Sequence, residues 1–292
     1  MTSSGQNPEK KPAIYGVVGY PVKHSFSPGM HNAAFKSLGI NAAYLAFEIK
    51  PDGLPAFLKN LNKLGIAGVN LTVPHKEIAF KRLRYVSDEA KTSGTVNTIK
   101  NSKGKLFGDS TDAYGLLSSL REEFKLTSLR NKSILLLGAG GAANAVAAAL
   151  ASSGIITLYI SNRTHEKAVR LAEKTEAATS TRCVAVPLYD KAVSMIISDV
   201  DILINATSSG LKLTDKSPVT GSALRKGLLV YDMIYNPPVT RLLKEAKKAG
   251  AAGVNGLGML LHQGARAFTI WTGKKAPLSV MRKAIKSSIK LR

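Results

Sequence analysis

Residues 134–150 read ILLLGAGGAANAVAAAL, an apolar run, then a glycine cluster, then an alanine-rich stretch of helical length. A strand, a tight turn and a helix follow one another in that order, and the small side chains let the helix lie close on a sheet. Gly138 can take the positive φ that a sharp strand-to-helix turn needs, while Gly140 and Gly141 lack a Cβ, so a ligand can approach the backbone. The first turn of such a helix offers unpaired N–H groups and the positive end of its dipole, which favour an anion such as a diphosphate. Gly138-Ala139-Gly140-Gly141-Ala142-Ala143 therefore fits the dinucleotide fingerprint G-x-G-x-x-G/A, with alanine in the last place.

The fingerprint expects a residue that reads the adenosine ribose at the end of the next strand, about 20 residues on. Here 155–160, IITLYI, reads as that strand, and Ser161-Asn162-Arg163-Thr164 ends it. An acid there would bond the ribose hydroxyls of NAD. Arg163, with Lys167 nearby, offers instead a planar fork and charge suited to a phosphate, so the expected cofactor is NADP.

Composition sets the outer limits. With 292 residues, 45% of them hydrophobic, the chain can build one large or two medium domains. No apolar run reaches the ~18 residues of a membrane helix, and the leader MTSSGQNPEKKP lacks the apolar core of a signal peptide, so a cytoplasmic protein without membrane contact is expected. One cysteine, Cys183, excludes an internal disulfide and fits a reducing compartment. The 5 histidines include no pair at metal-ligand spacing beside a carboxylate, and no metal is expected. Serine hydrolysis by Ser25 beside His24 is also excluded, because no nucleophile elbow surrounds the serine. With 41 Lys and Arg against 19 Asp and Glu, the net charge of +22 raises the question of nucleic acid. The cations are scattered and no zinc-finger or RNP-type signature occurs, so no nucleic acid is expected; the field suits anionic small molecules.

Ahead of the fingerprint, strands and helices alternate. A strand over 14–19 leads through a loop to a helix over about 28–38, with Ser27 as its N-cap, Pro28 in its first turn and Gly39 as its stop. Ser25 and Ser27 sit at the mouth of that helix, where they could hold a carboxylate, or Ser27 could simply cap it. A strand over 43–49, a helix over 54–64, a strand over 68–73 and a helix opening at Lys76-Glu77 follow. Their alternation implies a mostly parallel sheet covered on both faces. Ligands gather at the carboxyl ends of such strands, which directs attention to Asn70, Thr72 and Lys76. A lysine at a helix start gains nothing from the dipole, which favours another role for Lys76. Segments 94–99 and 105–109 read as a hairpin, and 110–115 leads into a helix to about Phe124, with Asp112 either a plain N-terminal acid or a carboxylate facing the cleft. Beyond the fingerprint, runs at 184–186, 200–204 and 228–231 complete a doubly wound domain, and the segments 205–210 and 232–237 follow two of its strands. A long helix then runs to about Trp271, and a basic amphipathic helix covers 277–291.

These motifs resemble the shikimate dehydrogenase family in order and spacing along nearly the whole chain. They are Gly19-Tyr20-Pro21 with His24-Ser25-Phe26-Ser27-Pro28 and His31-Asn32; Asn70-Leu71-Thr72-Val73-Pro74-His75-Lys76; Val96-Asn97-Thr98; and Thr111-Asp112 with Gly115. The glycine cluster, Asn162-Arg163-Thr164, Asn205-Ala206-Thr207, Asp232-Met233-Ile234-Tyr235 and Gly258-Met259 with Gln263 complete them. The resemblance implies an α/β protein of two domains: an N-terminal α/β substrate domain from 1–112 together with 256–292, and a Rossmann-type doubly wound NADP-binding domain from 113–255. It implies the reversible, NADPH-dependent reduction of 3-dehydroshikimate to shikimate in aromatic amino acid biosynthesis, by a monomer or homodimer whose partner is a small-molecule substrate.

In the family pattern Ser25 and Ser27 hold the substrate carboxylate, joined by Tyr235, while Thr72, Asn97 and Gln263 bind ring hydroxyls. Lys76 and Asp112 are the catalytic pair. The cofactor-binding set that it implies is Gly138, Ala139, Gly140, Gly141, Ala142, Asn162, Arg163, Thr164, Lys167, Thr207, Met233 and Gly258. Hydride transfer needs a group on the reacting oxygen, and Lys76 could serve as a neutral amine that accepts a proton or as an ammonium that stabilises an alkoxide. The alternatives are a quinate/shikimate dehydrogenase of broader specificity and a non-catalytic sensor of pathway ligands, although a sensor should have lost Lys76 or Asp112. Ser110 stands where many members of the family carry Asn, so the hydrogen bonding around Asp112 is expected to differ.

Overall fold

The structure, a computed structural model, describes residues 11–290. The polar leader up to residue 10 and the expected end of the last helix at Leu291 lie outside the described residues. The first sheet has 6 strands in the order β2-β1-β3-β5-β6-β4. They are β1 (Ala13–Gly19), β2 (Ala42–Glu48), β3 (Ile66–Leu71), β4 (Tyr85–Val86), β5 (Thr98–Ser102) and β6 (Lys105–Asp109). Helices α1 (Ser27–Ser37), α2 (Leu54–Asn60), α3 (Lys76–Phe80) and α4 (Asp88–Ser93) connect them, and α5 (Asp112–Glu123) leads out.

The second sheet, also of 6 strands, contains β7 (Ser133–Leu137), β8 (Thr157–Asn162), β9 (Arg182–Pro187), β10 (Ile202–Asn205), β11 (Leu229–Asp232) and β12 (Ala252–Asn255). Helices α6 (Gly141–Ala151), α7 (His165–Thr179), α8 (Asp190–Ile196) and α9 (Arg241–Lys248) cover it, and α10 (Leu257–Thr272) and α11 (Leu278–Lys290) return to the first sheet. Its order, β12-β11-β10-β7-β8-β9, with every pairing parallel, is the doubly wound arrangement in which β7 and β10 flank the switch point. No helix among the described residues is long and apolar enough to cross a membrane.

Strand alternation divides the cores. In β1, Tyr15 and Val17 face α1, α10 and α11, whereas Val18 faces the opposite core of Leu54, Leu58, Val69 and Ile99. In β7, Ile134 and Leu136 pack with α5 and α6, while Leu135 and Leu137 pack toward Val193 and Leu242. Both sheets are thus covered on both faces.

The first sheet is mostly parallel, as the alternation implies, with β5 alone reversed, antiparallel to both β3 and β6. A hairpin as short as β5–β6 can join only antiparallel strands. Several local expectations change. Helix α2 stops at Asn60, and the chain turns through Gly65 at φ 67 instead of continuing to Leu64. Ser27 is not an N-cap: Phe26 holds that position without a side-chain cap bond, and Ser27 is the first helical residue. Strands β4 and β12 had no sequence signal, since the first has 2 residues and the second reads AGVN at the sheet edge.

The two sheets are joined where α5 crosses α10. A Cβ added at Gly115 would come within 2.8 Å of both Gln263 Cβ and the Met259 carbonyl oxygen, so only glycine permits this crossing. Gly258 on α10 lies likewise against Ser119 on α5. At the other end of α5, Glu122 accepts from His262 Nε2 at 2.7 Å and from Arg282 Nη2 at 2.6 Å, tying α10 and α11 to it. The Arg282 guanidinium, more than His262, holds the Glu122 carboxyl below its usual range.

Candidate active site

Lys76 opens α3 shortly after β3 ends, and Asp112 opens α5 shortly after β6 ends. The two helix starts meet: Lys76 Nζ donates to Asp112 Oδ2 at 2.6 Å, with the side chains 17% and 5% exposed. So little exposure for a charged pair requires further partners. Asn97, just before β5, supplies one through Nδ2, which donates to Asp112 Oδ1 at 2.9 Å and to Thr111 Oγ1 at 3.0 Å. Its other amide atom, Oδ1, accepts from the Thr111 N–H at 2.8 Å and from Thr98 Oγ1 at 3.0 Å. The amide is therefore locked in one orientation. Gln263 Oε1, on α10, stands 3.5 Å from Asn97 Nδ2.

A second cluster lies at the mouth of α1. Ser25 Oγ accepts from the Ser27 N–H at 3.2 Å, at the first residue of α1. Burial pushes the ionisation of Tyr44 well upward, and the Ser27 side chain near it opposes the shift. Tyr44 donates to Asn70 Oδ1 at 2.7 Å, and Asn70 Nδ2 donates to the Asn97 carbonyl at 3.2 Å and to Thr98 Oγ1 at 3.0 Å. This chain of bonds links Tyr44 on β2 to Asn97 and so to the Lys76 pair. Tyr235, from the loop after β11, reaches the same place, its ring 5.4 Å from that of Phe26. Thr72 is half-buried at the end of β3, its N–H donating to the Val18 carbonyl at 2.9 Å and its methyl packed over Gly19.

The third group lies at the carboxyl ends of β7, β8, β10 and β11. Gly138 has φ +112 and donates to the Ser161 carbonyl at 2.7 Å, which folds the turn back against β8. Nothing lies within 4 Å of a Cβ added at Gly140, so the backbone there is open to a ligand. A diphosphate fits this turn on geometry alone. Ala139 is buried in the core, and Gly141 and Ala142 open α6. Asn162 Nδ2 donates to the Thr164 carbonyl at 2.9 Å, which shapes the segment that presents Arg163, and Arg163, Thr164 and Lys167 are all exposed. Thr207 Oγ1 donates to Asn205 Oδ1 at 2.7 Å, and Asn205 Nδ2 donates to the buried Asp232 at 3.0 Å. Burial raises the Asp232 pKa, while bonds from Thr240, the Ile234 N–H and Asn205 oppose the rise. Asn205 and Asp232 thus brace the ends of β10 and β11. Met233 presses its carbonyl on Gly256, and the missing side chain of Gly258 is accounted for by Ser119.

The two carboxyl edges face each other across the cleft, since an atom at the Cβ position of Gly141 would lie 3.7 Å from Glu77 Oε1, next to Lys76. Neither Tyr44 nor Glu77 was a candidate from sequence. Tyr44 sits in a plain apolar strand, and a glutamate in a first helical turn is the ordinary choice there. Ser110, where a difference was expected, bonds Thr95 Oγ1 at 3.4 Å and takes no part in holding Asp112.

A family model described as the shikimate dehydrogenase substrate binding domain matches residues 17–99. Others, described as shikimate/quinate 5-dehydrogenase and the shikimate 5'-dehydrogenase C-terminal domain, match 120–258 and 256–286. The shikimate dehydrogenase (NADP(+)) of Methanopyrus kandleri is 44% identical over 274 residues, 93% of this chain and 94% of its own. A crystal structure of a shikimate dehydrogenase in complex with NADP+ is similar with a TM-score of 0.88 at 41% identity, covering 95% of this chain and 96% of that one. The shikimate 5-dehydrogenase of Thermus thermophilus, in complex with NADP(H) and shikimate, gives 0.84 at 37% identity, covering 94% and 99%.

Proposed function

The chain belongs to the shikimate dehydrogenase family, and from that premise we propose that it reduces 3-dehydroshikimate to shikimate with NADPH, reversibly. The observation that carries this reading is the Lys76–Asp112 pair, 2.6 Å apart and braced by Asn97, facing a dinucleotide-type turn. The working units are 1–112 with 256–292 for the substrate and 113–255 for NADP. The protein acts as a monomer or homodimer, and in the cytoplasm, a location supported by its single, buried cysteine.

When bound, the nicotinamide supplies the hydride or takes it up. Ser25 and Ser27 hold the substrate carboxylate, with Tyr235 closing over it, while Thr72, Asn97 and Gln263 take the ring hydroxyls. Lys76 touches the reacting oxygen. In reduction it donates a proton to the oxygen as negative charge develops there, and in oxidation the same nitrogen receives it. Asp112 aims Lys76 through Oδ2 and keeps lone pairs for a neighbouring hydroxyl. Asn97 blocks rotation of that carboxylate, so the aim is kept when substrate arrives or leaves. Arg163 and Lys167 take the 2′-phosphate of the adenosine ribose.

Initial rates with shikimate and quinate crossed with NADP and NAD test the reading. Turnover is expected with shikimate and NADP, and Arg163→Ala should raise the KM for NADP about tenfold or more while moving that for NAD little. Comparable rates with quinate would point to the broader-specificity alternative. Binding of shikimate without turnover would make the protein a sensor.

A further inference from the structure

Glu77 follows Lys76 in the first turn of α3, and its side chain is exposed. It reaches toward the other sheet, where an atom at the Cβ position of Gly141 would lie 3.7 Å from its Oε1. Gly141 opens α6, a helix of 11 residues with no acidic residue in its first turn and no side-chain cap from Gly140. Oε1 thus lies beside the first turn of α6, whose N–H groups have no partner within the helix. A carboxylate is attracted to that position, which is also where the fingerprint receives a diphosphate.

We propose that Glu77 is a charge gate of the dinucleotide site. Without cofactor its carboxylate serves as the anion of the α6 N-terminus, and the cofactor diphosphate takes that position from it. This inference rests on the assignment of NADP to the α6 turn. Two anions at one turn repel, so binding includes the work of moving Glu77 aside, and the returning carboxylate speeds release of the spent cofactor.

The test is the Kd and dissociation rate of NADP+ for the wild type, Glu77→Gln and Asp199→Asn, at low salt and at about 1 M salt. Asp199 is exposed and precedes β10, at the sheet edge opposite the glycine turn, so its variant makes the same charge change far from the site. Glu77→Gln should bind NADP+ about tenfold more tightly and release it more slowly, with most of the gain lost at high salt and shikimate affinity unchanged. Asp199→Asn should stay within about twofold of the wild type. Unchanged or weaker binding by Glu77→Gln overturns the gate. An equal gain in Asp199→Asn also overturns it, because net charge would then explain the effect. A wild type that fails to bind NADP+ overturns the cofactor assignment, and the gate with it.

Discussion

A lysine and an aspartate 2.6 Å apart and almost out of water carry a desolvation cost that their mutual attraction offsets only with added hydrogen bonds. Asn97 and Thr111 provide the surrounding bonds, and they restrict Lys76 to one direction. If that direction is toward the reacting oxygen, Lys76→Ala should lower kcat by about two or more orders of magnitude while shikimate binding by calorimetry remains measurable. Asp112→Asn should reduce kcat by a similar order, since it keeps the shape and removes the charge that aims Lys76. Turnover by either variant near the wild-type rate would remove that residue from the proton step.

At the scale of elements, the crossing of α5 and α10 decides whether Gln263 reaches the Lys76 pair. Gly115 leaves no space for a methyl group, with Gln263 Cβ and the Met259 carbonyl oxygen both 2.8 Å from the place it would occupy. Gly115→Ala should push the helices apart, costing about 1–3 kcal/mol in urea unfolding. It should also raise the KM for shikimate more than that for NADP, because Gln263 moves and the glycine turn of α6 does not. An equal change in both KM values would mean that the crossing positions the whole cleft rather than one side chain.

Across the whole molecule, His31 is a buried histidine whose neutral form the fold favours, which ties stability to acid. His31 is fully buried, stacked on Tyr44 with ring centroids 4.4 Å apart, and burial lowers its pKa to about 3 from an ordinary 6.5. Below pH 6.5 the unfolded chain takes up a proton that the folded one refuses, so this group's contribution is complete above that pH and declines down to about 3. The slope is about 1.4 kcal/mol per pH unit, or roughly 2 kcal/mol lost by pH 5. His31→Phe, which keeps a flat ring against Tyr44, should lose less stability than the wild type between pH 7 and pH 5 in chemical denaturation. Identical losses in the two proteins would assign the acid sensitivity to other groups.

The glycine turn with its alanine-rich helix, the cation at the end of the following strand and the alternation of strand and helix could be read directly, because each is a signal among residues close in the chain. The Lys76 and Asp112 pair was legible only through the resemblance, since nothing local says that two helix starts 36 residues apart will meet. Packing alone determined the rest. Asn97 and Gln263 approach across 166 positions because two glycine-containing helices cross closely. Ser27 lies inside the first turn because α1 begins one residue earlier than its sequence signal, with Phe26 in the cap position. Backbone preferences and turn chemistry act over a few residues and are written in order. The meeting of Lys76 with Asp112 and the approach of Glu77 to Gly141 depend on elements folded against one another, and so belong to the tertiary structure.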